Sequence, residues 1–170
     1  MKSLILLLFF NWFYLKSYSQ VKFDIDKGKY KGNIIKNDSN TRDFLFLFFD
    51  NDSFELYTPK SDIIYSFEYN LKKKLKKANK KRECQNGITC PIIHRNLPKY
   101  YRKYAGVVNK KTNQRFLIVS FKLKKYVSSN EMALNKKFYN NFDDGCSQVF
   151  LVLYDIENNR IAKLFVDCEK

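Results

Sequence analysis

The sequence predicts an α+β protein, because its strand-like and helix-like segments are segregated rather than alternating. Three observations carry this expectation. Short runs rich in aromatic and β-branched residues cover 29–35, 44–49 and 53–57. One long stripe follows, in which Ile64, Phe67, Leu71, Leu75 and Ala78 recur every three or four residues, the spacing of an amphipathic helix. Further strand-like runs at 101–108, 115–123, 148–156 and 161–167 are then joined pairwise by short polar turns, which only antiparallel neighbours can use.

The amino terminus is of a different kind. Lys2 precedes an apolar run from Leu4 to Leu15 broken only by Asn11, and Ser17 and Ser19 place small residues where a signal peptidase reads. Twelve residues rise only about 18 Å as a helix, against roughly 30 Å of bilayer hydrocarbon. Residues 1–19 are therefore expected to be a cleaved signal peptide. The mature chain, 20–170, is expected to form a single exported domain, periplasmic or secreted, with no transmembrane segment, since the longest later apolar run, 44–49, has the length of a strand.

Each element has its own local reason. Asp50, Asn51 and Asp52 supply a turn between the second and third strands, giving an N-terminal β-meander. Thr58 and Pro59 read as a cap followed by proline at the first helical position, and the helix is expected to run from there to about Arg82. Asp62 near its start and lysines near its end suit the helix dipole. A loop at 91–98 leads into the 101–108 strand, and 109–114 turns the chain into 115–123. The polar stretch 124–145 is long enough to be a functional loop. The last hairpin turns at Glu157, Asn158, Asn159 and Arg160, and its first strand is apolar on both faces from Val149 to Tyr154, as a central strand should be.

Cys84, Cys90, Cys146 and Cys168 are an even set in an oxidising compartment and are expected to form two disulfides. The Asn86-Gly87 turn favours Cys84 with Cys90. Cys146 would then pair with Cys168 across the closing hairpin, with a bulge or a longer turn to correct the register. Two rival uses of these residues are a zinc site from Cys84, Cys90 and His94, and a nucleophile and base pair from Cys90 and His94. Disulfide formation consumes the thiolates both would need, and a lone histidine excludes schemes that require two imidazoles. The aspartate pairs 24/26, 50/52 and 143/144 lack the spacing of a calcium loop and read as turn chemistry. Neither metal nor cofactor is expected, and the chain is read as non-catalytic.

The order of one helix followed by four antiparallel strands resembles the cystatin-like and NTF2-like α+β rolls. That resemblance implies one long amphipathic helix packed on a curved antiparallel sheet, here with the meander added in front. The segments Cys90-Pro91-Ile92-Ile93-His94 and Tyr100-Tyr101-Arg102-Lys103-Tyr104, with Asp144-Gly145 before the closing strand, turn and strand, are similar to a group of small exported bacterial proteins of unknown function. This second likeness covers 59–170. The Gln-x-Val-x-Gly pattern of the cystatin inhibitory loop does not occur, so the first likeness implies no protease inhibition.

The formal net charge of +15 points toward an anionic polymer or an anionic envelope surface, from which clustered cations release counterions. Against this, few of the basic residues are arginine, and the abundance of Asn, Ile, Phe and Tyr reads as the coding bias of an A/T-rich genome. The densest cationic group is Lys72, Lys73, Lys76, Lys77 and Lys80, with Lys74, Lys81 and Arg82, on the carboxyl half of the predicted helix. It serves either as a binding face or as a solvated face favoured by the dipole. Arg95, Lys99, Arg102 and Lys103 interleave with Tyr100, Tyr101 and Tyr104, a mixture that can stack bases or sugars, or simply fill a sheet. The leading expectation is a binding module using the helix cations. The alternatives are a protein-interaction or inhibitor module acting through 124–145, and a hydrolase using His94, Cys90 or the aspartates.

Overall fold

The computed structural model describes residues 22–25, 30–35, 53–128 and 146–167. The expected signal segment, the strand at 44–49, the turn at 50–52, nearly all of the 124–145 loop and Cys168 lie outside them. One helix, α1 (Ser61–Ala78), packs with a seven-stranded mixed sheet, so the α+β class holds. The strands are β1 (Lys22–Ile25), β2 (Tyr30–Ile34), β3 (Phe54–Tyr57), β4 (Tyr100–Asn109), β5 (Arg115–Leu123), β6 (Cys146–Asp155) and β7 (Arg160–Asp167).

From β4 to β7 the sheet is an antiparallel series in sequence order. The other edge of β4 departs from the expected meander. There β2 runs parallel to the first half of β4, with Lys31 opposite Tyr101 and Ile34 opposite Tyr104. β3 runs antiparallel to the second half, with Tyr57 opposite Gly106 and Phe54 opposite Asn109. A ten-residue strand is long enough to carry a five-residue and a four-residue partner end to end, so β2 and β3 share β4 as a common neighbour instead of pairing with each other. β1 extends this edge by pairing antiparallel with β2.

Alternation along the strands produces two buried faces. On one, Tyr100, Tyr104, Leu117, Val119, Phe121, Phe150, Val152 and Tyr154 form a core with Ile64, Phe67, Leu71 and Leu75 of α1. Phe121 and Phe150 stack there with centroids 4.3 Å apart, and Phe67 meets Tyr154 edge-on at 5.1 Å. The opposite face buries Ile35, Leu56, Ala105, Val107, Phe116, Ile118, Leu151 and Leu153. This double burial is why β6 reads as apolar without alternation.

The helix is shorter than its sequence pattern suggests. β3 remains paired through Tyr57, so 58–60 are spent leaving the sheet, and extended Lys60 rather than Thr58 occupies the N-cap. At the other end Asn79 terminates the helix. Its side-chain amide exchanges hydrogen bonds with that of Gln85, at 2.7 and 2.9 Å, and both residues are buried. Gln85 Oε1 also accepts the backbone N–H of Ile93, which fixes the chain reversal that removes 80–82 from the helix. Arg82 and Cys84 take positive φ within that reversal.

Candidate functional site

The exposed side of α1 carries more than lysines. Tyr65 and Tyr69 are one turn apart, Lys72 and Lys73 lie three and four residues after Tyr69, and Lys76 is one turn beyond Lys72. All five are exposed, Tyr69 at 89%. The helix therefore presents aromatic rings beside ammonium groups on one side, with Lys77 exposed alongside. Lys72, Lys73, Lys76, Lys77 and Lys80 make no ion pair with any described residue, whereas Lys81 approaches Glu83 at 4.0 Å. Lys80, Lys81 and Arg82 project from the reversal after the helix and not from the helix itself.

Lys74 belongs to a different surface. Its ammonium group donates to the backbone carbonyl of Asn159 and to Asn159 Oδ1, and lies 5.4 Å over the Tyr154 ring. Burial, followed by repulsion from Lys73, lowers its pKa. The residue works as a clasp between α1 and the β6–β7 turn.

The second cationic group divides. Arg95 is exposed on the 3₁₀ turn Ile93–Arg95, and its charge falls on the same neighbour as those of the helix and the reversal, namely His94. Only 6% of His94 is exposed, and Nδ1 is buried without a hydrogen-bond partner among the described residues. Burial, then the charges of Arg82, Arg95, Lys76 and Lys72 in that order, hold the imidazole below its usual pKa. Charges from the helix, the reversal and the adjacent 3₁₀ turn thus act on one imidazole. His94 reports the field of a cationic surface and is not placed as an exposed base.

Tyr100, Tyr101 and Arg102 do not form an outward platform. All three are buried, because β4 is a central strand with both faces covered. Arg102 has no exposed surface, and its Nε lies 2.8 Å from Glu68 Oε1 on α1. Its Nη1 and Nη2 donate to the carbonyls of Tyr100 and Leu97 at 2.8 and 3.0 Å, and the guanidinium covers the Phe121 ring at 5.2 Å. Tyr104 donates its hydroxyl to the same Glu68 oxygen. Burial pushes the Glu68 carboxyl above its ordinary value, against the opposing pull of Arg102 and Tyr104. The cluster joins helix to sheet. The aromatic and cationic mixture that the sequence suggests on β4 is found instead at Tyr65 and Tyr69 on α1, whose i, i+4 spacing opposite the apolar stripe was the available signal.

The disulfide pairing also differs from expectation. Cys90 is bonded to Cys146, with Cα atoms 5.5 Å apart. Cys84 is disulfide-bonded too, so its partner is neither Cys90 nor Cys146. The Asn-Gly turn does form: Asn86 Oδ1 accepts the N–H groups of Ile88, Thr89 and Cys90, and Gly87 takes a φ of 82°. That turn directs Cys90 toward the start of β6, where Ser147 Oγ donates to the Pro91 carbonyl and Tyr100 donates its hydroxyl to the Ser147 carbonyl. With its sulfur in a disulfide, Cys90 supplies neither a nucleophile nor a zinc thiolate. Among the described residues, no group of His, Cys, Asp and Glu is placed to share a metal ion. No described helix is long and apolar enough to cross a membrane.

Comparison with protein-family models, with curated proteins and with solved structures found no match to this chain.

Proposed function

We propose that the protein is an exported, non-catalytic binding module whose exposed helix surface engages an anionic polymer or an anionic envelope surface. The observation that carries this reading is the exposed face of α1, where exposed Tyr65 and Tyr69 are followed by Lys72, Lys73 and Lys76, none of which makes an ion pair with any described residue. The charges of Lys72 and Lys76 from the helix, Arg82 from the reversal and Arg95 from the 3₁₀ turn all act to lower the His94 pKa, which supports one cationic surface drawn from three segments. Export is supported by the Cys90–Cys146 bond, since thiols generally stay reduced in the cytosol. The finer architecture, an amphipathic helix on a curved sheet as in the cystatin-like and NTF2-like rolls, is part of the same proposal.

The test is binding to polyphosphate, to a sulfated polysaccharide and to anionic vesicles over a range of salt concentrations. Affinity should fall linearly in log K against log salt, by roughly 0.7 to 0.9 for each phosphate neutralised. The variant Lys72→Glu/Lys76→Glu/Arg95→Glu should lose binding while keeping its fold, because all three side chains are exposed. Tyr69→Ala should weaken binding to the sugar polymer and leave polyphosphate unaffected, because only the former offers faces to stack on. Salt-insensitive binding, or full binding by the triple variant, would overturn the reading.

A further inference from the structure

The exposed side of α1 has a direction. Asp62, Tyr65, Tyr69, Lys72 and Lys76 follow one another at three or four residues, so they form one row along the helix, with Lys73 beside it. All six are exposed, Tyr65 at 49% and Tyr69 at 89%. At a rise of about 1.5 Å per residue the row extends roughly 21 Å. Its amino-terminal half carries an acid and two rings. Its carboxyl-terminal half carries the ammonium groups, and Lys72, Lys73 and Lys76 make no ion pair with any described residue.

This order selects among anionic partners. Polyphosphate bears a charge on every unit and has no ring, so laid along the row it would bring like charge to Asp62 and leave both tyrosine faces unused. A single-stranded nucleic acid has rings, but it also has a phosphate at every one of them and meets the same repulsion. A membrane surface takes up a helix through its apolar stripe, and here Ile64, Phe67, Leu71 and Leu75 have no exposed surface and belong to the core. A polysaccharide that is acidic on only some of its sugars matches the row in both halves. Neutral sugar rings can lie on the tyrosines, and sulfates or carboxylates can meet the lysines.

Resting on the reading of α1 as the polymer-binding surface, we propose that its ligand is a sparsely acidic polysaccharide bound in one direction, with neutral sugars over Tyr65 and Tyr69 and acidic groups over Lys72, Lys73 and Lys76.

The experiment is calorimetric titration of the full chain, at rising salt, with unsubstituted, sparsely sulfated and densely sulfated dextran, with polyphosphate and with anionic vesicles. Sparsely sulfated dextran should have a shallower salt slope than polyphosphate and should stay bound at salt concentrations that release it, because salt weakens ion contacts and not ring contacts. Unsubstituted dextran should not bind measurably, since the lysines would then meet no charge. Tyr69→Ala should weaken binding of sparsely sulfated dextran by about tenfold and leave polyphosphate unchanged. Asp62→Asn keeps a side-chain oxygen to accept the Ile63 N–H, and it should tighten binding of polyphosphate and densely sulfated dextran while leaving sparsely sulfated dextran unchanged. Both variants should keep the fold, because both side chains are exposed. Polyphosphate or vesicles outlasting sparsely sulfated dextran as salt rises, indifference of that dextran to Tyr69→Ala, or an equal effect of Asp62→Asn on every polymer would overturn this choice of ligand and leave the polymer reading standing. Failure of every anionic probe to bind would overturn both.

Discussion

Arg102 is one of few arginines in a lysine-rich chain, and it is spent in the core. Only a planar fork can address Glu68, the Tyr100 carbonyl and the Leu97 carbonyl at once, so lysine could not replace it. Removing one member of a buried pair leaves the other charged and unmatched, whereas an apolar pair of similar volume removes both penalties. Glu68→Ala or Arg102→Met alone should therefore cost about 3 to 5 kcal/mol, and Glu68→Leu/Arg102→Met should recover most of that in urea unfolding. Single substitutions that cost nothing would contradict the burial of the pair. This interaction could not be read from sequence: alternation does place Tyr100, Arg102 and Tyr104 on one side of a strand, but Glu68 is 36 residues before Tyr104 and nothing local names it. His94 is the other informative residue, because the chain has only one histidine and its imidazole signal is unambiguous by NMR. Its folded pKa lies below 6.5, so as pH falls below 6.5 the unfolded chain binds a proton that the folded chain refuses. Stability should accordingly drop from pH 6.5 toward the folded pKa, and His94→Gln should flatten that part of the profile. Polyphosphate bound over Lys72, Lys76, Arg82 and Arg95 should shift the His94 titration upward; an unmoved titration with polymer bound would place the polymer elsewhere.

Among the elements, β4 is the most constrained. It pairs with β2, β3 and β5, and at Gly106 the backbone of β3 passes so close that an added Cβ would lie 2.6 Å from the Tyr57 ring and 2.7 Å from its carbonyl oxygen. The ring could rotate away; the carbonyl is held in the ladder. Gly106→Ala should therefore destabilise by about 1 to 3 kcal/mol in denaturant unfolding, and combining it with Tyr57→Ala should not abolish the effect. Full relief in the double variant would show that the ring alone sets the contact. The helix illustrates what its sequence could and could not tell. Ile64, Phe67, Leu71 and Leu75 are buried as their spacing requires, but the start is decided by a long-range partner, the pairing of β3 with β4 through Tyr57, and the end by a buried amide pair between Asn79 and Gln85 that helical periodicity does not reveal. The cysteines follow the same logic. The turn at Asn86-Gly87 is local and was legible, while the choice of Cys146 as partner, 56 residues away, depends on where the sheet places β6.

For the molecule as a whole, the consequential property is that the central strands of the sheet are buried on both faces, and three neighbouring tyrosines of β4 test it together. Tyr100 and Tyr104 lie on the face packed by α1, and Tyr101 lies on the other. Burial raises the pKa of all three, Tyr101 to about 12, with Glu68 adding to the effect at Tyr104. A phenol in the unfolded chain ionises near its ordinary value of 10.0, so above that pH the unfolded chain gives up protons that the folded chain retains. The stability contributed by these groups is thus fully present below pH 10.0 and is lost as pH rises through the folded values. Parallel alkaline titrations by phenolate absorbance and far-ultraviolet circular dichroism should show a class of tyrosines that ionises only as the sheet unfolds, with the change abrupt because three groups titrate with one transition. Tyr101→Phe should move that transition to higher pH by removing a raised phenol on the second face. Phenolate formation completed while the dichroism is still native would mean that a face of the sheet is open to solvent, and with it the burial that keeps Tyr100, Tyr101 and Arg102 from serving as a binding surface.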